Sequence, residues 1–504
     1  MEASPSNLQQ LGELIGQLLA PNSVAIKAAE KQLKALEFKQ GYTLCLLHLI
    51  GNLTSSISPH DIGVRQTAAV LFKNAVKKGW KIDDDDDIIE NSVNSSSSNT
   101  ANKSEGALLK NMNDNISPIP DSDRNPIKQN LVDLMSKTPP EVQKQLAEAV
   151  NIISLHDFPT KWNELLPQLV VRLNTSDLTV INGVMLTANS VMKRFRYVHK
   201  SDELYLVLLE CLNKFAQPLQ SMYSSMKNKV HELSVAGDSS LSQLKLVLET
   251  VRLMTRIYFS LNWQDIPEFF ENNIQVWMSE FGFYLSYSNP LLINNNEDMI
   301  PGPIEKLQAN IIENLNLYAS KYEEEFAPFL DNFTQLIWQM LITVPSKPKY
   351  DSLATNGIVF LTSVCAKEMN KGLFTETILQ QIIEQIVVKN LTATDDDEEL
   401  FEMNASDYIR KDMEGSDQNT RRRCAMELVR ALLKFFSEAV TKMCLNYITA
   451  LLEQYQQSNM TNWRAKDAAL HLVLAASVMS SSALTGASTL NPKVNILDIF
   501  NAHV

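Results

Sequence analysis

The sequence predicts an all-α chain built as an α-solenoid of stacked helix pairs, and three observations carry that prediction. Glycine is scarce, at 15 of 504 residues, less than half of the roughly 7% usual in globular chains. No runs of alternating Val, Ile and Thr recur between turn signals, as a β-protein would require. Apolar residues instead recur at spacings of three and four. Leu8, Leu11, Ile15, Leu18 and Leu19 share one face, as do Val142, Leu146, Val150 and Ile153, and again Ala425, Leu428, Val429, Leu432, Phe435 and Phe436. Each such segment is a one-sided helix that needs neighbours to cover it.

In chain order the pattern predicts helix pairs at 7–20 with 23–37, 41–52 with 61–80, 126–137 with 141–155, and 159–172 with 177–195. It continues at 202–218 with 241–261, 267–284 with 303–322, 323–343 with 352–368, 373–388 with 419–436, and 439–456 with 461–479, before a last helix from about Val494. These nine to ten pairs average about 45 residues, inside the roughly 40 to 47 of HEAT or armadillo units. The predicted fold is therefore an all-α HEAT-repeat α-solenoid. Two repeat starts share local chemistry, "DFPTKW" from Asp157 and "DIPEFF" from Asp265. In each, proline is expected at the first helical position, with the acid near the positive end of the helix dipole. The apolar end "VNILDIFNAHV" from Val494 lacks the polar outer helix that seals a solenoid, so the array is expected to continue past it.

The net charge of −13 is concentrated in two segments. Residues 83–125 hold ten acids against three bases, and residues 392–417 hold ten against two, which leaves the remaining scaffold close to neutral. The first segment, with "DDDDD" and "NSVNSSSSNTANKSEG", cannot bury enough apolar surface to offset chain entropy and is expected as a disordered insertion. The predicted organisation is HEAT repeats over 1–82, the acidic Ser-rich insertion over 83–125, and repeats over 126–390. An acidic loop inside one repeat, 391–417, and further repeats over 418–504 complete it. Nucleic acid is not an expected partner, because only short basic runs occur, "KKGWK" at Lys77 and "KRFR" at Lys193. No uninterrupted apolar run reaches the roughly 18 residues of a membrane span. The five cysteines include no CxxC pair, which suits a reducing intracellular compartment.

No HExxH, Walker, dinucleotide or nucleophile-elbow motif occurs, so no enzyme activity, catalytic residue, metal or cofactor is expected. Cys45 and His48 in "CLLHLI" read as packed core positions on an apolar helix. Two stretches invite a binding role. In "LFKNAVKKGW", Leu71, Ala75 and Gly79 are expected on one helical side and Lys73, Lys77 and Trp80 on another. Trp80 either packs on the next repeat or belongs to a partner-binding face. The second stretch reverses charge abruptly, from Asp395, Asp396, Asp397, Glu398 and Glu399 to Arg421, Arg422 and Arg423. Three cations at the positive end of a helix dipole are unfavourable by about 0.3–1 kcal/mol each when exposed. Ser416 or Asp417 is the expected cap. Arg421 should point toward the apolar stripe, and Arg423 should join a solvent ladder with Glu427, Arg430 and Lys434. Asp412, Glu414 and Asp417 are expected to neutralise the arginines and anchor the loop, leaving its acids free.

The segment "LFKNAVKKGW" resembles the signature ending the N-terminal domain of the importin-β (karyopherin-β) superfamily. "HDFPTKWNELLPQL", "SDELY" at Ser201, "NWQDIPEFFENNIQVWM" at Asn262, "YLSYSNPLL" at Tyr284 and "YIRKDMEGSDQNTRRR" at Tyr408 together resemble its CAS-type exportin branch. The resemblance covers nearly all the chain except the serine-rich insertion, and it implies about half of that branch's superhelical array. It implies a nuclear export receptor that binds importin-α as cargo cooperatively with the small GTPase Ran in its GTP form. It further implies passage through nuclear pore proteins and shuttling between nucleus and cytoplasm, with GTP carried by Ran and no cofactor of its own. The residues matching its Ran contacts are Lys73, Asn74, Lys77 and Lys78, together with the acidic loop at 395–399. The alternatives are a nuclear import receptor of the same superfamily, or a HEAT scaffold independent of Ran.

Overall fold

The computed structural model describes residues 1–37, 39–52, 59–80, 119–292, 299–412, 419–482 and 486–503. It divides into two compact units, Met1–Met226 and Lys227–Val504. In the first unit the helices are α1 (Pro5–Leu18), α2 (Ser23–Leu36), α3 (Tyr42–Asn52), α4 (Pro59–Gly79), α5 (Asp121–Lys137), α6 (Pro140–Asp157), α7 (Leu165–Arg172) and α8 (Leu178–Met192). Side-chain caps set several starts. Ser4 accepts from the Asn7 N–H, Asn22 from Val24 and Ala25, and Asp177 from Thr179. Partners pack within a pair, α1 on α2 and α3 on α4, and between pairs, α3 on α5 and α4 on α6. This is the stacking that one-sided apolar faces require.

Two boundaries differ from expectation. Helix α5 starts at Asp121, so the predicted insertion, 83–125, is folded from Ile119 onward. The buried Asp123 carboxylate accepts the Gly41 N–H at 2.6 Å, and the Ile119 N–H donates to the Gly79 carbonyl at 2.9 Å. The two ends of the intervening segment are thereby joined, so helix pairing continues across it. The rest of that segment lies outside the described residues. Helix α7 starts at Leu165, beyond Pro159. The buried Lys128 ammonium pairs with Asp157 at 2.5 Å and donates to the Lys161 carbonyl at 2.8 Å. That gathering of charge commits Asp157 to the interior and holds the following turn out of the helix.

Helix α9 (Asp202–Val235) runs through Pro218, where a stop was expected. Phe215, Leu219, Tyr223, Met226, Val230 and Leu233 continue one buried stripe across it, and burial of about 1.5–3 kcal/mol per large side chain outweighs one lost backbone bond.

The second unit contains α10 (Leu241–Asn262), α11 (Glu268–Asn272), α12 (Ile274–Ser286), α13 (Pro303–Lys321), α14 (Glu323–Phe326), α15 (Leu330–Thr343), α16 (Asp351–Cys365) and α17 (Glu376–Gln381). A π-helical stretch, Ile382–Val388, leads from α17 into α18 (Lys389–Leu391). Then follow α19 (Asp395–Met403), α20 (Ala405–Asp412), α21 (Arg421–Gln457), α22 (Trp463–Ser477), a hairpin of β1 (Val478–Ser482) and β2 (Gly486–Leu490), and α23 (Ile496–His503). The hairpin departs from the all-helical expectation, which ran one helix on to Met479. Its strands are antiparallel, with Val478 opposite Leu490 and Ser482 opposite Gly486, and the serine run is a poor helix former. In "DIPEFF", Pro267 takes the cap position, one residue before that expected. The break expected after Phe436 is a kink at that residue within α21.

Successive long helices of this unit pack side by side, α10 on α13, α13 on α16, α16 on α21 and α21 on α22. Aromatic rings fill the first interval. Tyr258 lies 4.2 Å from the Trp277 ring and 4.9 Å from that of Phe270. Lysines tie the helix ends together. Lys321 donates to the Trp263 carbonyl at 2.7 Å, Lys367 to that of Ala319 and Lys434 to that of Ala366 at 3.2 Å. Each ammonium thus sits at the negative end of the preceding helix dipole.

Candidate partner-binding surfaces

At the end of α4, Phe72, Ala75, Val76 and Trp80 form the buried stripe. Trp80 therefore belongs to the inner side, opposite to the placement expected from the helical wheel. Its ring packs beneath Arg124 and Lys128 of α5, with the Arg124 guanidinium 5.0 Å and the Lys128 ammonium 6.0 Å from the centroid. The packing alternative for Trp80 is the one realised. Lys77 and Lys78 are exposed, and Lys73 and Asn74 are half-buried on the outward side. Lys78 is also paired with Glu37 at 2.7 Å, a partner 41 residues away.

In the second unit the predicted acidic loop, 391–417, is largely helical. Thr394 and Asp397 form a capping box that starts α19, and the four acids Asp395, Asp396, Asp397 and Glu398 occupy its first turn, where the dipole favours them. Asn404 starts α20 in the same way, its side chain accepting the Asp407 N–H. None of α19 is buried, and Phe401, Met403 and Ile409 are exposed. The two helices form an acidic arm that owes its order to caps and to ion pairs at its base.

The acids are not free, contrary to expectation. Arg464, in the first turn of α22, lies 2.7 Å from Asp395 and is also bonded to Glu398. Asp397 is spent on the capping box. Asp396 and Asp397 line a cleft of about 330 Å³ with Lys389, Arg421 and Arg422, while Glu399 is exposed.

The three arginines each have a different setting. The cap is Thr420, whose hydroxyl accepts the Arg423 N–H. Arg421 does not point toward the apolar stripe. Its Nε bonds Asp351 at 2.6 Å, and its amino groups donate to the carbonyls of Pro345 and Lys347. Arg422 is 8% exposed, donating to the Leu391 carbonyl at 3.2 Å and to the Tyr408 hydroxyl of α20 at 3.0 Å, and pairing with Asp467 of α22 at 3.1 Å. Of the expected solvent ladder, Arg430 pairs with Glu427 at 2.6 Å, and Lys434 turns away to the Ala366 carbonyl. Arg423 is half-buried beside Glu427. Lys389 completes the base by donating to the carbonyls of Ile342 at 3.0 Å and Val344 at 2.6 Å. Burial and the neighbouring Arg421 hold its ammonium below the usual lysine range.

Asp412 ends α20, whereas Glu414 and Asp417 lie outside the described residues. The acids that neutralise Arg421 and Arg422 are thus Asp351 and Asp467, from neighbouring repeats. Only contact between distant helices selects them, so no local spacing identifies them or Arg464. All five cysteines are buried, with burial pushing Cys211 and Cys444 up to about 12 and Cys424 to about 11. Cys45 is a core residue as expected, but His48 is exposed. Among the described residues no cluster of metal-ligating side chains forms, and no helix is long and apolar enough to cross a membrane.

Stacked helix pairs bearing an acidic helical arm define a HEAT-repeat α-solenoid. Residues 191–504 match the Cse1 family and residues 29–137 the importin-beta N-terminal domain. The chain belongs to the Cse1 family. It is 37% identical over 505 aligned positions to exportin-2 of Homo sapiens, covering 100% of this chain and 48% of that protein, and equally similar to exportin-2 of Oreochromis niloticus. A solved structure of the exportin Cse1 in its cargo-free, cytoplasmic state superposes with a TM-score of 0.83 at 31% identity, covering 98% of this chain and 49% of that one. Importin beta shares the fold, with a TM-score of 0.56 at 12% identity over 93% of this chain and 45% of that one. The chain spans about half the length of the curated relatives it matches.

Proposed function

We propose that this chain is the Ran-engaging half of a nuclear export receptor that binds importin-α cooperatively with Ran-GTP and returns it to the cytoplasm. The observation that supports this reading most is the likeness of the whole of this chain to about half of exportin-2 proteins, at 37% identity. On this reading Lys73, Asn74 and Lys77 of α4 face Ran, and the acidic arm meets a basic patch of the same GTPase. Importin-α is the cargo, and the receptor shuttles between nucleus and cytoplasm through pore proteins. It carries no cofactor and performs no catalysis, since the nucleotide belongs to Ran. Cooperativity follows from linkage: two ligands that favour the same arrangement of the repeats each raise the other's affinity by the same factor.

The test is capture of Ran-GTP, Ran-GDP and importin-α by the immobilised receptor at the length of its exportin-2 relatives, about twice that of this chain; the chain by itself is expected to assemble the two ligands weakly or not at all. Ran-GTP is expected to bind at least about tenfold more tightly than Ran-GDP, a differential of about 1.4 kcal/mol, and importin-α is expected only when Ran-GTP is present. Importin-α binding that Ran-GTP opposes would make the protein an import receptor. Binding indifferent to nucleotide would make it a scaffold.

A further inference from the structure

Asp395 and Glu398, three residues apart on the first turn of α19, converge on one guanidinium supplied from α22, that of Arg464. The helix does not need this contact to form. Its start is secured by the Thr394–Asp397 capping box, and the arm is tied to the body independently through Tyr408 and the buried Arg422. Nor is the contact sealed from water, because the Asp395 side chain is 94% exposed and that of Glu398 42%. Exposed pairs of this kind contribute little individually and exchange readily with another cation. The Arg464 guanidinium also lies 5.7 Å from the half-exposed Trp463 ring, a cation–π contact made together with the two ion pairs and one it can keep when the carboxylates are released.

We propose that Arg464 is an intramolecular latch: it occupies Asp395 and Glu398 in the unliganded protein and is displaced when a basic surface of the GTPase engages the arm. The inference rests on the reading of the arm as a contact for Ran-GTP. The exposed Glu399 and Glu402, one turn further along, meet the incoming cations first. Asp395 and Glu398 then exchange Arg464 for the partner's lysines or arginines, and Arg464 keeps its contact with Trp463. A latch lowers affinity, whereas a brace that merely positions the arm raises it. The two roles therefore predict opposite signs for the same substitution.

The experiment titrates Ran, loaded with a non-hydrolysable GTP analogue, against the wild-type chain, Arg464→Gln, Asp395→Asn/Glu398→Gln, and the triple variant, with circular dichroism confirming the fold of each. Arg464→Gln is expected to bind about three- to tenfold more tightly at low salt, within what two exposed pairs on one guanidinium can withhold. The gain should shrink as salt rises. The double carboxylate variant should bind more weakly than wild type, and adding Arg464→Gln to it should change nothing, because the latch then has nothing to hold. Equal or weaker binding by Arg464→Gln, with the wild type still binding, overturns the latch and leaves the functional reading standing. If neither wild type nor Arg464→Gln binds either nucleotide form, the functional reading falls and the latch falls with it.

Discussion

The end of α4 and the acidic arm are both candidate contact surfaces, yet they are built by opposite means. In α4 the outward lysines are the reverse side of a stripe in which Phe72, Ala75, Val76 and Trp80 are buried. Their positions are dictated by packing. The arm has no such stripe on α19, where no residue is buried, and its geometry comes from caps and from arginines contributed by other helices. A packed surface is rigid and insensitive to salt, whereas one held by charge can yield to a competing charge. The first suits a fixed platform and the second a movable contact.

The sharpest way to break that comparison is to cut the packing beneath α4. Trp80→Ala removes a side chain that is 2% exposed and lies under two cations of α5. It is expected to destabilise the first unit by about 3–5 kcal/mol, as large aromatic truncations in cores do, read as a shift in the urea midpoint. The matching change on the arm, Phe401→Ala, should stay within about 0.5 kcal/mol because Phe401 is half exposed. Equal losses in the two variants would show that the arm hides a core of its own.

Cutting the base of the arm comes next. Arg422→Met leaves the Leu391 carbonyl, the Tyr408 hydroxyl and Asp467 without their shared donor. A cost of about 1–3 kcal/mol is expected, below that of a fully enclosed pair because Asp467 keeps some contact with water. Hydrogen exchange should localise the loss. Amides of 395–412 should exchange faster while those of 59–79 remain as protected as in the wild type. Uniform loss across the second unit would mean that Arg422 supports the stack of repeats instead of the arm.

What could be read in advance divides along the same line. The helix pairs of 5–79 and 121–192 were legible because apolar spacing of three and four is local, but the same spacing put Trp80 with Lys73 and Lys77, and only contact with α5 places it in the buried stripe. The charge reversal at 395–423 was visible as well. Its pairing was not visible, because Arg464 meets Glu398 across 66 residues and Arg421 meets Asp351 across 70. Composition also misled, since the acids that looked like a solvated loop are favourable at a helix start once Thr394 caps it. The capping box could have been read from "TDDD" at Thr394, with an acid three residues after the threonine. The serine run of the hairpin, 480–482, gave no apolar period to follow.

The smallest expected effect concerns Lys78, the one candidate on α4 that is held by charge. It pairs with Glu37 at 2.7 Å, with its own side chain 49% exposed and that of Glu37 14%. Lys78→Met keeps the aliphatic stem against the surface and removes only the ammonium. Stability should fall by less than about 1 kcal/mol, the range of an exposed pair, and the difference from wild type should vanish in high salt. Because the stripe beneath is untouched, Lys73 and Lys77 keep their positions, and Ran-GTP affinity should fall by no more than about threefold, less than 0.7 kcal/mol. A loss approaching that of Trp80→Ala would mean that the Glu37 contact, and not burial of the tryptophan, fixes the end of α4. The two surfaces would then be the same kind of structure after all.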